Sequence, residues 1–222
     1  MQNTVWRLTP RTHLAFVGPD LVVLDVEDNA YFCLPGAVGS IRQLDGGDVV
    51  FEDADLAEQF ATAGFLSSAP AEPRSTRRLP DRPSADLQAL TAASIDRHAM
   101  AGMLGAFAGM LRHYYGKPFS HLIGEAARGA LDPGAAERPP SMALTERVAA
   151  FGHLLPWAPF QGECLYRSFM LLRFLRSAGH DARWVFGVRT WPFQAHCWLQ
   201  AGGTALDDAA ERVAPFTPIL AV

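Results

Sequence analysis

The chain has 222 residues, 49% of them hydrophobic and 19% charged, with a formal net charge of −4. That is the make-up of an ordinary globular protein, long enough for two small domains or one larger one. The longest uncharged apolar stretch, Ala99 to Leu111, is interrupted by Gly102, Gly105 and Gly109 and is too short to span a bilayer. The opening residues MQNTVWRLTP lack an apolar run, so no secretory signal is expected. Cys33, Cys164 and Cys197 cannot all pair, which points to a reducing, cytoplasmic setting.

Residues 1–66 carry three arginines against ten acidic residues, a poor surface for nucleic-acid phosphates. Thr4–Leu8 and His13–Val17 read as strands, and Leu21–Asp25 and Ala30–Leu34 flank a VEDN turn as a hairpin. Pro35-Gly36 ends the last strand, and Ala37–Leu44 is expected to form a short helix. Asp53 or Asp55 caps a second helix through Ala63 with Gly64 as its stop, burying Leu56 and Phe60. Strands followed by small helices predict a winged-helix-like module over 1–66.

Residues 67–83 hold four prolines, four arginines and no aromatic residue, the composition of a linker. The third part is expected to span 84–222. It begins with a helix capped by Ser84 and running to Tyr115, with a break near Gly102–Gly109 and a core stripe that includes Leu87, Leu90, Met103 and Phe107. A shorter helix over Ser120–Arg128, an LDPG turn at 131–134 and a helical pattern from Leu144 to Leu155 follow. His98, His113, His121 and His153 have no metal-ligand spacing in sequence, so no metal site is expected. No Walker loop, GxGxxG or G-x-S-x-G is present, which leaves nucleotide binding and serine-hydrolase chemistry without support.

Chemistry concentrates between Pro156 and Asp208. Cys164 opens a helix that Gly179 ends, with Leu165, Phe169, Leu172 and Leu175 at helical spacing. A thiol there sits at the positive end of the helix dipole among unpartnered N–H groups, which favours thiolate. His196 falls in the second of two short strands, Arg183–Val188 and Ala195–Leu199, and Asp208 lies twelve residues further, past the turn AGGT. Singly, such a cysteine and such a histidine are ordinary core residues. Together, a helix-borne Cys, a strand-borne His and a following acid form the layout of papain-like and transglutaminase-like sites. His196 and Cys197 alternate on their strand, which argues against both binding one zinc ion.

The segment CLYRSFMLLRFLRSAGHDARWVFGVRTWPFQAHCWLQ resembles the C-terminal domain of lasso peptide biosynthesis B proteins. The resemblance lies in C-L-x-R-S, V-x-G-V-R, P-F-x-A-H-x-W and the acid twelve residues past the histidine. It covers about the last 60 residues, and Cys197 stands where such proteins usually carry a small residue such as alanine. DLVVLDVEDNAYFCLPGAVGSI is similar to PqqD-like leader-recognition domains. The resemblance implies an α+β protein in which a winged-helix-like leader-binding domain precedes a cysteine protease domain of helices on an antiparallel sheet. It implies Cys164, His196 and Asp208 as catalytic residues, the Cys164 backbone N–H or Gln161 as oxyanion donor, and neither metal nor cofactor. The leader of a lasso precursor would add as a strand along Ala30, Tyr31, Phe32 and Cys33, beside Asp55 and Phe60 of the neighbouring helix. A further implied partner is an ATP-dependent macrolactam synthetase. Two other functions share these features: an inactive leader-binding chaperone, and a transglutaminase-type acyl transferase.

Overall fold

The computed structural model describes residues 4–44, 47–67, 78–87, 95–131, 134–158 and 163–222. The N-terminal part contains β1 (Val5–Leu8), β2 (Thr12–Val17), β3 (Asp20–Asp25), β4 (Ala30–Leu34), β5 (Ile41–Gln43), β6 (Asp48–Phe51), α1 (Ala54–Thr62) and β7 (Leu66–Ser67). The C-terminal part contains β8 (Ala85–Asp86), α2 (Arg97–His113), α3 (Phe119–Arg128), α4 (Met142–Leu154), α5 (Cys164–Arg176), β9 (Arg183–Arg189), β10 (Gln194–Ala201), β11 (Thr204–Ala205), α6 (Ala210–Val213) and β12 (Thr217–Ala221). Three sheets result, in the orders β2-β3-β4, β5-β6-β1-β7 and β12-β9-β10-β11-β8; every pairing is antiparallel except β8 with β11. The fold is α+β.

Why β3 is one unbroken apolar run becomes clear from its two faces. Leu21 and Val23 enter a small core with Leu56, Phe60 and Phe65, whereas Val22 and Leu24 enter the large core with Phe186 and Ile219. A strand buried on both sides has no polar face to alternate. The three-stranded sheet therefore packs on the C-terminal sheet, with β2 against β12. Two contacts pin the junction. Trp191 Nε1 donates to Asp20 Oδ2 at 2.7 Å, and Tyr31 packs on Phe193 with ring centroids 5.8 Å apart. The Gly36 N–H bond to Asp20, backed by Trp191, holds that carboxyl below the usual carboxylate range.

Several expectations give way to tertiary pairing. The helix expected from Ser84 begins at Arg97, where the Asp96 side chain accepts the Ala99 N–H at 2.7 Å. Ser84 and Ala85 instead donate their N–H groups to Gly203 O, and β8 extends the sheet edge beyond β11. Asp81 O accepts from Gln200 Nε2, so the described end of the expected linker also lies along this sheet. Residues 68–77 of that linker, and Leu90 and the centre of the LDPG turn, lie outside the described residues. The short helix expected at Ala37–Leu44 is a single 3-10 turn, Ala37–Ser40, followed by β5.

Helix α2 runs through Gly102, Gly105 and Gly109 without a break. A Cβ at Gly102 would strike the Arg147 guanidinium and Ser177, and one at Gly109 would strike Arg173. These glycines serve close approach by neighbouring helices rather than bending. Helix α5 lies at the centre, touching α2, α4 and β10. Tyr166, Phe169, Met170, Leu171, Leu172, Phe174 and Leu175 are all buried along it. Burying one such side chain contributes about 1.5–3 kcal/mol, so the position of this helix is strongly fixed.

Candidate active site

Cys164 is the first residue of α5, and Glu163 at the N-cap makes no side-chain capping bond. The first-turn N–H groups near the thiol have no intrahelical acceptor. The helix ends at Arg176, and the turn that follows closes on Gly179, whose φ of +79° suits a residue without Cβ. His196 lies on β10 opposite Gly187 of β9. Gly187 has a packing reason: a Cβ there would collide with the Trp198 ring and with Phe216. Those two rings flank His196, with centroids 6.3 Å and 5.3 Å from the imidazole.

His196 Nε2 is 2.7 Å from Asp208 Oδ2. That leaves Nδ1 to meet the thiol of Cys164, which hydrogen-bonds to the His196 side chain. Asp208 is fixed in turn, since its Oδ1 accepts the Ala209 N–H at 2.8 Å. Arg167 and Arg212 approach its two oxygens at 3.6 and 3.5 Å. The three residues expected to act together are thus brought together.

The thiol of Cys164 is pulled down to about 4, first by a hydrogen bond from the Cys197 side chain, then by one from His196, against the opposing effect of burial. The Cys197 backbone N–H adds to this; among the described residues the pairing of β10 with β11 involves Gln200 and Ala201 and stops short of Cys197. The imidazole of His196 is raised by its bond to Cys164 and by Asp208, against burial. Both shifts favour thiolate on Cys164 and imidazolium on His196. Such a pair is an activated nucleophile beside a proton donor.

Residues 117–221 match the Transglutaminase-like superfamily. The C-terminal part of this chain is thus similar to transglutaminase-like proteins. A 50-residue segment, 22% of the chain, is 46% identical to the "Microcin J25-processing protein McjB" of Escherichia coli, and the match spans only about a quarter (24%) of that relative. No solved structure matches the chain. Together the family and the relative support the resemblance to lasso peptide biosynthesis B proteins.

Around the triad, several residues matter that the sequence reading left without a role. Asp207 does not face solvent. It accepts the Ser168 hydroxyl at 2.6 Å and the Leu199 N–H at 2.8 Å, tying α5 to β10. Burial pushes its carboxyl up, while Ser168, Leu199 and Arg167 oppose that shift. Both aspartates lie just beyond β11 rather than on it. The R-S of the C-L-x-R-S motif thus supplies the partners of the acid pair.

Cys197 points away from His196, into the large core, yet its thiol reaches Cys164. The alternation on β10 holds, yet the Cys164 thiol at the start of α5 is within reach of both side chains. Burial keeps the Cys197 thiol well above its ordinary range, so it stays protonated and donates. Tyr31 adds a wall from the N-terminal sheet. Its hydroxyl is raised to about 12, chiefly by burial.

The residues expected to bind a leader fall on different surfaces. Among the described residues β4 pairs only with β3, leaving its other edge open. Tyr31 faces the catalytic part, whereas Phe32 is 45% exposed and leans on Phe65. Ala30 and Cys33 are half-buried, and Asp55 is exposed in the first turn of α1. Phe60 is a correction: it is 2% exposed, edge-on to Phe51 and Phe65, and belongs to the small core rather than to a binding face. Gln161 lies outside the described residues. Two pockets flank the His196–Asp208 pair: one of about 450 Å³ lined by His196, Arg189 and Phe216, another of about 730 Å³ lined by Asp208, Arg167 and Leu87. Arg212 borders both. His113 and His121, distant from any ligand pattern in sequence, converge with Glu125. Among the described residues no helix is long and apolar enough to cross a membrane.

Proposed function

We propose that this chain is a leader peptidase of lasso peptide biosynthesis, a cysteine endopeptidase acting in the cytoplasm. The observation that carries this reading is the Cys164–His196–Asp208 constellation, with its 2.7 Å His–Asp contact and shared thiol bond. The similarity to a microcin J25-processing protein supports the substrate class.

In this reading the Cys164 thiolate attacks the carbonyl carbon of the scissile bond. The developing oxyanion is met by the backbone N–H of Cys164, which at the helix start has no intrahelical acceptor. The imidazolium of His196 passes its proton to the departing core amine, leaving the leader as a thioester on Cys164. Water enters, His196 takes its proton, and the leader leaves with a free carboxylate. Asp208 holds Nε2 of His196 and stabilises the imidazolium throughout. The leader first binds through residues 1–66, adding a strand at the open edge of β4, with Phe32 offering an apolar contact. The freed core then passes to an ATP-dependent macrolactam synthetase.

Mass spectrometry of a lasso precursor incubated with the protein tests this reading. Free leader and free core are expected. An intact precursor that still binds would replace peptidase by chaperone, and an amide adduct on the leader would replace hydrolysis by acyl transfer.

A further inference from the structure

Away from the triad, the end of α2 and one face of α3 bring together three groups that the proposed chemistry does not use. His113 Nδ1 lies 3.3 Å from His121 Nε2 and 3.4 Å from Glu125 Oε2. The three ligand atoms all fall within 4.8 Å of one another, and none of the three residues is exposed. His121 and Glu125 are four apart on α3 and so share a face. The two imidazoles stack nearly parallel, 10° apart at 5.5 Å.

Hydrogen bonding accounts poorly for this meeting. Both short contacts converge on one nitrogen, His113 Nδ1. A neutral ring there holds either one proton between two acceptors, or a lone pair directed at a carboxylate. A cation resolves that conflict. Zinc binds imidazole nitrogen and carboxylate oxygen at about 2.0–2.2 Å in a tetrahedron, which sets ligand atoms about 3.3–3.5 Å apart. Two of the three separations already have that length. We propose that His113, His121 and Glu125 form a binding site for a divalent transition metal, zinc by its donor set, that fastens the end of α2 to α3.

The surroundings fit an ion. Glu125 Oε1 is held by Arg128, which leaves Oε2 aimed at the two histidines, as outer partners orient metal ligands elsewhere. A cavity of about 560 Å³ lined by Glu125, Arg128 and Arg173 borders the cluster on its Glu125 side. Two imidazoles favour zinc over calcium or magnesium, which require oxygen. The guanidinium groups of Arg128 and Arg173 repel a cation, so affinity is set below that of thiolate-rich structural sites. The consequence is architectural. His113 precedes Tyr114, whose ring packs edge-on to Tyr166 at 5.8 Å and near Phe169 at 6.5 Å, on the first turns of the catalytic helix. A metal at this corner fixes the support behind Cys164.

Titration of the full chain carrying Cys164→Ala with Zn²⁺ or Co²⁺ alone tests the site, since that background removes the catalytic thiolate as a competing ligand. One equivalent of Zn²⁺ is expected, with a rise in thermal midpoint. The Co²⁺ complex is expected to show tetrahedral d–d bands and no thiolate charge-transfer band. His113→Ala and His121→Ala should each weaken binding at least tenfold. Glu125→Gln serves in place of either histidine variant that fails to fold. No binding, a thiolate band, or unchanged affinity in a variant that circular dichroism shows to be folded would overturn the proposal.

Discussion

At the scale of single residues, the two thiols of β10 and α5 divide their work by environment. Cys164 sits at a helix start beside an imidazolium and ionises near 4, whereas buried Cys197 keeps its proton and donates it. A working ion pair needs Cys164 deprotonated and His196 protonated. Activity should therefore rise as pH climbs through about 4 and fall only above the ordinary histidine value of 6.5, because His196 is raised. A pH–rate profile of precursor cleavage checks both limbs, and an acid limb near the ordinary thiol value would remove the ion pair. Cys197→Ala deletes the largest influence lowering Cys164, so its acid limb should move to higher pH while cleavage persists at neutral pH. An unmoved limb would leave Cys197 as mere packing. Asp208→Asn should slow cleavage about 10- to 1000-fold in a folded protein, less than the roughly 10⁴-fold known for serine triads, because the thiolate is already formed. Asp207→Ala should act mainly on stability: it strands the Ser168 hydroxyl and the Leu199 N–H, at about 1–3 kcal/mol for each buried group left unsatisfied. Denaturant melts with cleavage rates separate the two aspartates, and the reverse ranking would move the triad to Asp207.

Elements decide which of these roles were legible in the sequence. Cys164 and His196 could be read because each is set by its own local structure: a helix start with a glycine stop, and a strand of alternating residues. Asp208 followed from spacing across a hairpin. The contact of Cys197 with Cys164 could not be read, since it depends on the pairing of β10 with β11 stopping short of Cys197. Nor could β8, where Ser84–Asp86 pairs with a strand more than a hundred residues away and overrides a plausible helix cap. Tyr31 and Phe32 alternate as expected, but only the docking of β4 beside Phe193 reveals that the first faces the catalytic part. This arrangement makes a distinction between neighbours. Phe32→Asp should raise KM for the precursor and leave kcat nearly unchanged, whereas Tyr31→Ala should lower kcat as well. Equal effects on KM and kcat from both variants would contradict the division of β4 into a leader face and a catalytic face.

For the whole molecule, the shared core matters more than the composition of the linker suggested. Val22 and Leu24 of the N-terminal sheet lie in one apolar cluster with Trp184, Phe186 and Leu220. Prolines and arginines over 67–83 announced two separable parts, and nothing local in β3 showed that its second face is covered by residues 160 positions away. Leu24→Ala should cost about 2–5 kcal/mol and loosen both parts together. Unfolding followed by tryptophan fluorescence and by far-ultraviolet circular dichroism should give coincident transitions, and two well-separated transitions would contradict a common core. The central claim is narrower: Cys164 is a thiolate nucleophile at rest. Alkylation with iodoacetamide at pH 6, mapped by peptide mass spectrometry, tests it directly and without a substrate. The account predicts that Cys164 is modified first, ahead of Cys33 and Cys197, and that cleavage of the precursor is lost in proportion. Modification of either other cysteine before Cys164, or cleavage that survives complete labelling of Cys164, would contradict it.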